Sequence, residues 1–468
     1  MITTNNEEYL TELQDLCKLF GGEDIDINHV ETRNGNKVED KFDVSFNGQK
    51  QMFMFSYVLP NGINSLLDKS LRKRNVKNNL YKILSSLLKK TLPWGSLTGV
   101  RPTKFARDLL ERGEVKDYLL ADVLEKEYFV SKCKARLVPM ILKNQRGIIR
   151  NDNLVDLYVN IPICPSRCLY CSFISSELER VKDKVDVYVD CLIKEINAVK
   201  GIIREKALIV RNIYMGGGTP SVLTPDQLDR LLANLNFPVN EFTVECGRPD
   251  TITAEKLDVL KKHNVTRISI NPQTFCETTL KRIGRKQKNV QVLESYTLAL
   301  ERGFVVNMDI IAGLPGEKLG IFKRTMSTLL ELFPHNVTVH TLSVKNGALL
   351  KDDEEAMRNK NEKEVAKMVE FAEKTLIENG YKPYYLYRQK NQLAGLENVG
   401  YFRDDFSCMF NIESMEDLVT VIGVGAGAMS KRVYNLENRI EREPNCKFIE
   451  DYISRIDEMI EKKKKFYN

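Results

Sequence analysis

The segment 154-LVDLYVNIPICPSRCLYC-171 joins a run of β-branched and other apolar residues to three closely spaced cysteines. The apolar run predicts a β-strand over residues 157–161. Cys164, Cys168 and Cys171 follow this strand directly, so the sequence places them at its carboxyl end. In folds built from βα units, functional groups gather where strands end and loops begin.

From residue 154 onward, short β-branched runs alternate with longer amphipathic stretches, which predicts βα units and a parallel sheet. The predicted strands cover 157–161, 212–215, 242–246, 267–271, 305–310 and 337–342. The predicted helices cover 185–203, 225–234, 254–263, 290–302 and 321–332. Six repeats are two short of an eightfold barrel, so we predict an α/β fold with a partial, open (β/α)6 barrel. A doubly wound open sheet is the alternative.

The pattern differs on either side of this core, which predicts three domains. Residues 1–150 predict an N-terminal α+β accessory domain, with helices at 7–20, 75–92 and 118–146 and paired strands at 41–46 and 51–57. Residues 151–350 contain the barrel. Residues 351–468 predict a C-terminal α/β extension over the active site, with helices at 353–379 and 448–462 and strands at 383–387 and 418–422.

The composition indicates a globular chain, because 43% of its residues are hydrophobic and 29% are charged. The ten cysteines lack the regular spacing of a disulfide scaffold, which favours reduced thiols. The sequence begins without a signal peptide pattern and contains no stretch long enough to span a membrane, so we expect a cytoplasmic protein. A net charge of +6 over 468 residues is too small to imply nucleic acid binding.

Three thiolates within eight residues indicate a compact ligand. Thiolates favour zinc, Cu(I) or iron–sulfur clusters. A structural zinc site usually needs a second cysteine pair or a histidine pair, and the chain's four histidines are distant in sequence: His29, His263, His335 and His340. Three thiolates on a cubane leave one iron that can bind a substrate or cofactor. The structural alternative is a chance group of core cysteines.

A CxxxCxxC loop with an aromatic residue before the last cysteine resembles the signature of the radical S-adenosylmethionine (SAM) superfamily. The wider string from Tyr158 to Phe173 resembles more narrowly the oxygen-independent coproporphyrinogen III dehydrogenase family. This resemblance implies a [4Fe-4S] cluster on Cys164, Cys168 and Cys171, whose free iron chelates the amino and carboxylate groups of SAM. It also implies an external electron donor such as flavodoxin or ferredoxin, because electron transfer cleaves SAM to methionine and a 5′-deoxyadenosyl radical.

Later strand ends carry segments that resemble the family's SAM contacts. The implied cofactor-binding residues are Tyr158, Tyr170, Gly216, Gly217, Gly218, Thr219, Glu245, Gln273, Arg285 and Asp309. The glycines belong to a GGGTP turn in which bare backbone can approach the methionine amino group. The resemblance implies that Glu245 contacts SAM and that Gln273 hydrogen-bonds its nucleoside. It further places Arg285 near the SAM carboxylate, Asp309 near the ribose and the Tyr170 ring on adenine.

Each of these residues has a structural alternative when it is taken alone. A single acid at a strand end is usually a cap or an ion-pair partner, and an aromatic residue such as Tyr170 can simply pack beneath its loop. A glycine-rich turn can simply be a tight loop. Five segments in the family's order after a cysteine loop are much harder to explain structurally.

For two further features, the sequence favours a structural role over a place in a binding site. His340, at the sixth strand end, is predicted to be a buried, hydrogen-bonded histidine, with a place in the site as the alternative. Residues 423–428, GVGAGA, follow a strand and fit the GxGxxA dinucleotide pattern. No long apolar helix follows them, which argues against a dinucleotide site. The segment resembles one that the dehydrogenase family carries beyond its barrel, near the active-site mouth.

The segments 93-PWGSLTGVRPT-103, 387-YRQKN-391 and 396-LENVG-400 resemble the HemZ group of this family. The resemblance implies a tetrapyrrole substrate, coproporphyrinogen III, whose propionates lose hydrogen, CO2 and an electron to give the vinyl groups of protoporphyrinogen IX. Because this substrate carries four propionates, the candidate carboxylate partners are Arg101, Lys104, Arg388 and Lys390.

One position departs from the family pattern. Phe173 stands where the well-studied branch of the family has a further cysteine. Two alternatives therefore stay open: a haem-binding chaperone similar to the HemW group, which also lacks that cysteine, and a radical methyltransferase that opens haem anaerobically.

Overall fold

A computed structural model describes residues 1–21, 25–99, 101–173, 176–344, 347–352, 361–389, 393–435, 437 and 439–467. The chain divides into two compact units, Met1–Pro139 with Ala394–Leu396, and Met140–Leu393 with Glu397–Asn468. The predicted barrel and C-terminal extension thus fall in the same unit. The division into domains at residues 150 and 350 stays a prediction.

The N-terminal unit contains a four-stranded sheet and its helices: β1 (Ile2–Thr4), α1 (Glu7–Phe20), β2 (Ile25–Asn34), β3 (Lys37–Phe46), β4 (Gln49–Val58), α2 (Ser65–Leu88), α3 (Pro102–Glu111) and α4 (Leu120–Lys126). The strand order is β1-β2-β3-β4, with β1 parallel to β2 and the other pairs antiparallel. Leu13 of α1, Leu80 of α2 and Phe42 of β3 share one hydrophobic core, whose burial from water stabilises the unit.

One predicted helix in this part of the chain is wrong. Residues 118–146 form two helices, α4 and α5 (Lys132–Asn144), rather than a single one. Between them Phe129 has φ of 57°, a left-handed conformation that cannot continue a right-handed helix. The apolar pattern continues across this break, so periodicity alone did not reveal it.

The larger unit begins with alternating strands and helices: β5 (Leu154–Ile161), β6 (Ile163–Cys164), β7 (Ser176–Glu177), α6 (Leu178–Val181), α7 (Val185–Glu205), β8 (Ile209–Gly217), α8 (Pro225–Leu232), β9 (Glu241–Glu245), α9 (Ala254–Lys262), β10 (Arg267–Ser269), α10 (Glu277–Arg282), α11 (Asn289–Glu301), β11 (Val305–Ala312), α12 (Leu319–Leu332) and β12 (Asn336–Thr341). All six predicted strands are present, and they pair in parallel in the order β5-β8-β9-β10-β11-β12. The predicted α/β fold class is confirmed.

The unit ends with α13 (Glu362–Glu378), β13 (Lys382–Tyr387), β14 (Asn398–Phe402), α14 (Met409–Glu416), β15 (Thr420–Val424), β16 (Met429–Tyr434), β17 (Arg439–Pro444), α15 (Ile449–Ser454) and α16 (Ile456–Tyr467). Strand β15 pairs in parallel with β5, while β14 pairs antiparallel with β12. The sheet has eleven strands and stays open among the described residues, with β13 and β17 at its edges. The helix predicted over 448–462 is two helices, and residues 353–360 of the helix predicted over 353–379 lie outside the described residues.

Local signals position the helices that join the barrel strands. The Thr224 side chain accepts a hydrogen bond from the Gln227 N–H, and the Gln227 side chain accepts one from the Thr224 N–H, so α8 begins in a capping box. Gly303, with φ of 68°, ends α11 in a left-handed turn. None of the helices in the described part of the chain is both long and apolar enough to cross a membrane.

Candidate active site

A cavity of about 400 Å³ lies at the carboxyl ends of the parallel strands. Cys164, Cys168 and Cys171 line it. The other predicted site residues that line it are Tyr158, Tyr170, Gly217, Gly218, Thr219, Glu245, Gln273, Arg285 and Asp309. The fold therefore brings together the predicted residues from five strand ends, although their roles toward a cofactor stay predictions.

Hydrogen bonds within the loop and from residues that are distant in sequence hold the loop that carries the cysteines. Within the loop, the Cys171 N–H donates to the Cys168 carbonyl at 3.0 Å. The Leu169 N–H donates to the Ile283 carbonyl at 3.0 Å, and Arg248 Nη1 donates to the Ser166 carbonyl at 3.1 Å. Arg248 was not predicted, although it follows Glu245 by three residues, because its role depends on a contact with a loop that is distant in sequence.

The three sulfurs form a donor set that fits an iron–sulfur cluster. Burial raises the pKa of the Cys171 thiol to about 11, and the neighbouring Cys168 and Cys164 thiols add to this effect. Positive iron would reverse it, since metal binding requires and favours thiolates. In the part of the chain that the structure describes, no group of three His, Cys, Asp or Glu residues is arranged to hold a single ion. Cubane ligands each bind a different iron, so they need not converge on one point.

The glycines of the GGGTP turn are required by protein packing. Gly217 has φ of 108°, and a Cβ there would lie 1.9 Å from Asn160 Oδ1. A Cβ on Gly218 would lie 2.5 Å from the Ile163 carbonyl oxygen. Gly216 does not appear in the cavity lining, and a Cβ there would lie 2.9 Å from Glu245 Oε2. Bare backbone thus lets β8 approach the cysteine-bearing strand, and the approach of SAM stays a prediction.

Two carboxyl groups on the cavity wall have different electrostatic environments. Burial raises the pKa of Glu245 to about 7, against a hydrogen bond of 2.6 Å that Tyr214 OH donates to it. Burial acts in the same direction on Asp309, but His340 and Asn307 outweigh it and lower the Asp309 pKa. His340 Nε2 lies 3.4 Å from Asp309 Oδ2, and Asn307 Nδ2 donates to Asp309 Oδ1 at 2.7 Å. His340 therefore lines the cavity, which is the alternative that the sequence left open.

At and just beyond the end of β10, two buried polar atoms on the cavity wall lack a hydrogen-bond partner among the described residues. They are Gln273 Oε1 and Ser269 Oγ. Gln273 also has φ of 64°, a conformation that costs a side-chain-bearing residue free energy and often marks a functional site. Buried polar atoms are normally paired, so these two fit a site that receives a polar ligand.

Arg285 connects the cysteine loop to two strand ends. Its Nη2 donates to the Gly247 carbonyl at 2.8 Å and to the Asn271 carbonyl at 2.9 Å. Its Nη1 donates to Tyr170 OH at 3.3 Å. Arg285 thus positions Tyr170 and the ends of two strands, and its predicted place beside the SAM carboxylate stays a prediction.

Sequence reasoning missed two of the three rings that form an aromatic wall of the cavity. The Tyr214 ring stacks on Phe410 with centroids 4.4 Å apart, and the Tyr158 ring lies 6.3 Å from Tyr214 and 6.2 Å from Phe410. All three rings line the cavity. Tyr214 belongs to a predicted strand, so its alternation could have indicated it. Phe410 comes from α14, which no local pattern predicted.

The GVGAGA segment has protein partners for its backbone amides. The Gly425 N–H donates to Glu195 Oε2 at 2.8 Å, and the Ala426 N–H donates to Tyr188 OH at 3.1 Å. No residue of the segment appears in the cavity lining. The segment therefore joins strand β15 to its surroundings, and these two amides are not available to a phosphate.

The candidate carboxylate partners are distributed over both units. Arg388 is buried and does not appear in the cavity lining; burial lowers its pKa to about 10, while Glu397 favours its charge. The structure therefore does not place Arg388 on the cavity wall, and its charge is stabilised by Glu397 inside the protein. Lys390 lies outside the described residues. Arg101 and Lys104 belong to the N-terminal unit, and their role stays a prediction.

The radical SAM superfamily profile matches residues 158–329. This match, the open parallel sheet and the cysteine loop define a radical SAM protein, a class that uses a [4Fe-4S] cluster and SAM. The oxygen-independent coproporphyrinogen-III oxidase-like protein HemZ of Bacillus subtilis strain 168 is 37% identical over 408 residues, covering 84% of this chain and 81% of HemZ. The chain belongs to this coproporphyrinogen III oxidase-like family.

Other relatives carry two different names. The haem chaperone HemW of Lactococcus lactis subsp. lactis strain IL1403 is 32% identical over 260 residues, covering 52% of this chain and 66% of HemW. Among solved structures, the coproporphyrinogen III oxidase HemN of Escherichia coli aligns with a TM-score of 0.52 at 23% identity, covering 68% of this chain and 72% of HemN. The structural match supports the fold. The relatives are named as oxidases and as haem chaperones, so the comparisons do not decide between these two functions.

Proposed function

We propose that this chain is a radical SAM oxidoreductase that converts propionate groups of coproporphyrinogen III to vinyl groups without O2, giving protoporphyrinogen IX. The observation that carries the proposal is the single cavity that combines three thiols, the predicted SAM-binding residues and an aromatic wall. The similarity to HemZ over most of both chains supports it. The proposal includes a cytoplasmic location and an external donor such as flavodoxin or ferredoxin.

The bound cofactors supply abstraction of a hydrogen atom from the substrate. Each propionate then loses CO2 and one electron to leave a vinyl group; the hydrogen ends in 5′-deoxyadenosine and the electron passes to an acceptor. The chain's own residues bind and orient the substrate and the cofactors. The rings of Tyr158, Tyr214 and Phe410 offer faces to the pyrrole rings. The hydrogen-bonded cysteine loop holds the ligands in fixed geometry.

A haem-binding chaperone is the second candidate. The similarity to HemW supports it, and so does the place of His340, whose imidazole is a potential iron ligand on the cavity wall. Phe173, which replaces a cysteine of the well-studied branch, has 63% of its surface exposed. The third candidate, a radical methyltransferase that opens haem, uses the same cofactors.

One anaerobic experiment separates the three functions. Reconstituted protein is incubated with SAM, a strong reductant and coproporphyrinogen III, and the products are identified by mass spectrometry. Dehydrogenation predicts loss of CO2 from the substrate and about two 5′-deoxyadenosine molecules for each tetrapyrrole. Unchanged coproporphyrinogen III would contradict the proposal if the same preparation cleaved SAM.

Parallel incubations with haem test the two alternatives. Stoichiometric haem binding that is lost in His340→Ala but kept in His263→Ala would support the chaperone; His263 is paired with Asp229 and is absent from the cavity lining. Transfer of a SAM-derived methyl group to an opened tetrapyrrole would support the methyltransferase.

A further inference from the structure

Three arginines line the cavity: Arg167, Arg248 and Arg285. Two of them have protein partners in several directions. Arg248 Nη2 pairs with Asp250 Oδ2 at 2.9 Å, and its Nη1 donates to the Ser166 carbonyl at 3.1 Å. Arg285 donates to Gln287 Oε1 at 2.6 Å and to two backbone carbonyls. These two guanidinium groups therefore hold the walls of the cavity.

Arg167 differs from the other two. Its Nη2 donates to the Gly347 carbonyl, while its buried Nε has no hydrogen-bond partner among the described residues. Glu177 accepts a hydrogen bond of 3.3 Å from the Arg167 backbone N–H, but its carboxylate forms an ion pair with Arg180 at 3.5 Å. Within the described part of the chain, Arg167 thus has a charge that no carboxylate neutralises.

The backbone on either side of Arg167 is held in place. The Ser166 carbonyl accepts a hydrogen bond from Arg248, and the Arg167 N–H donates one to the Glu177 carboxylate. The Leu169 N–H donates to the Ile283 carbonyl at 3.0 Å, and its carbonyl accepts from the Leu350 N–H at 2.8 Å. A guanidinium on a fixed loop loses little conformational freedom when it binds, and its planar fork of donors matches a carboxylate.

We propose that Arg167 binds a carboxylate of the ligand that enters this cavity. Two ligands of the proposed function carry that group: the tetrapyrrole, through a propionate, and SAM, through its amino acid moiety. The propionate source rests on the proposed function, whereas the SAM source requires only the radical SAM class. Both sources predict that the positive charge of Arg167, rather than its apolar stem, contributes the affinity.

The test compares Arg167→Gln and Arg167→Lys with Arg204→Gln, an exposed arginine of α7 that is absent from the cavity lining. SAM affinity is measured by titrating the reconstituted cluster and following its EPR spectrum. Porphyrin affinity is measured by fluorescence with coproporphyrin III and with its tetramethyl ester, which has no free carboxylate. The porphyrin titrations are repeated on apoprotein, so that the test stands even if a variant takes up less iron.

We expect Arg167→Gln to weaken binding of one carboxylate ligand by about tenfold to a hundredfold, the range for a hydrogen bond to a charged group. Arg167→Lys retains part of this affinity, and Arg204→Gln behaves as wild type. Loss of coproporphyrin III affinity with unchanged ester affinity assigns the carboxylate to the tetrapyrrole; loss of SAM affinity assigns it to SAM.

Two results would overturn the proposal: wild-type affinity of Arg167→Gln for both carboxylate ligands, or an equal loss of affinity for coproporphyrin III and its ester with unchanged SAM affinity. These results are distinct from failure of the proposed function. If the proposed function fails, wild-type protein returns coproporphyrinogen III unchanged, whatever the affinities of the Arg167 variants.

Discussion

The two ends of the parallel sheet both contain buried polar side chains, but these have different partners. At the carboxyl ends, Gln273 Oε1 and Ser269 Oγ face the cavity without a partner among the described residues. At the amino ends, the charged groups pair with one another, although Asp156 Oδ2 and Asn212 Oδ1 have no hydrogen-bond partner among the described residues. Arg267 and Glu241 form a buried ion pair at 3.0 Å, and Arg211 lies 2.8 Å from Glu413. Unpaired groups in a cavity suit a ligand, whereas paired groups suit a fixed structure.

The amino-end network is completed by α14. Cys408 Sγ, just before this helix, donates to Glu241 Oε1 at 3.1 Å. Glu413 of α14 and Asp156 of β5 both accept from Asn212 Nδ2, at 2.7 Å and 2.9 Å. Burial and the neighbouring Glu413 raise the Asp156 pKa. The comparison teaches that substitutions at the carboxyl ends should change binding, and those at the amino ends should change stability.

The largest expected effect is at the carboxyl ends. Replacing Cys164, Cys168 and Cys171 together by Ala should abolish the [4Fe-4S] cluster, because the iron then has no protein thiolate. Iron and sulfide content and the absorption spectrum after anaerobic reconstitution measure this. Cys276→Ala, a cysteine absent from the cavity lining, should reconstitute as wild type. Full cluster content in the triple variant would show that other cysteines of the chain hold the cluster.

The next effect is at the amino ends. Arg267→Met leaves the buried Glu241 carboxylate without its cation, which should lower the free energy of unfolding by about 3–5 kcal/mol. Urea unfolding of the apoprotein followed by circular dichroism measures it. Adding Glu241→Leu should restore most of the loss, because no unpaired charge then stays buried. Arg302→Met, which breaks a partly exposed pair with Asp258, should cost no more than about 1 kcal/mol. Equal losses in the two single variants would contradict the comparison.

The sequence predicted the carboxyl ends of the sheet much better than the amino ends. Each predicted site residue lies in or shortly after its own strand in the sequence. A correct strand assignment therefore also places Glu245, Gln273 and Asp309 at the carboxyl ends of the sheet. Phe410 and Glu413 reach the sheet from α14, which follows the barrel in the chain and has no periodic pattern. Their places depend on the pairing of β14 and β15 with distant strands, which local signals do not encode.

A moderate effect is expected for Glu245→Gln, at the carboxyl ends. If Glu245 contacts SAM, loss of its charge should weaken SAM binding about tenfold, as expected for a charge-assisted hydrogen bond. The EPR titration of the reconstituted cluster measures it. Stability should not fall, because burial already disfavours the charge and raises the Glu245 pKa to about 7. Glu255→Gln, an exposed position on α9, is the control. Unchanged SAM affinity with reduced stability would place Glu245 among the structural residues.

The smallest effect concerns pH and the Glu413 carboxyl. Burial raises its pKa from 4.5 to about 7, so the folded protein binds a proton here more tightly than the unfolded chain does. The stability from this proton is complete below about pH 4.5 and is lost as pH rises through about 7, a change on the order of 1–3 kcal/mol. Glu413→Gln mimics the protonated group, so its unfolding free energy should fall less than that of wild type across this range.

Thermal and urea unfolding between pH 5 and pH 8 measure the difference between wild type and Glu413→Gln, with the exposed Glu331→Gln as the control. Glu245 has a pKa of about 7 for the same cause, burial, so Glu245→Gln should flatten the pH dependence too. The two variants should differ in SAM affinity, because only Glu245 lines the cavity. The opposite result would be weakened SAM binding in Glu413→Gln together with wild-type binding in Glu245→Gln. It would mean that the amino ends of the strands control the cavity through α14. The pairing of buried groups would then not distinguish structural residues from ligand-binding residues in this protein.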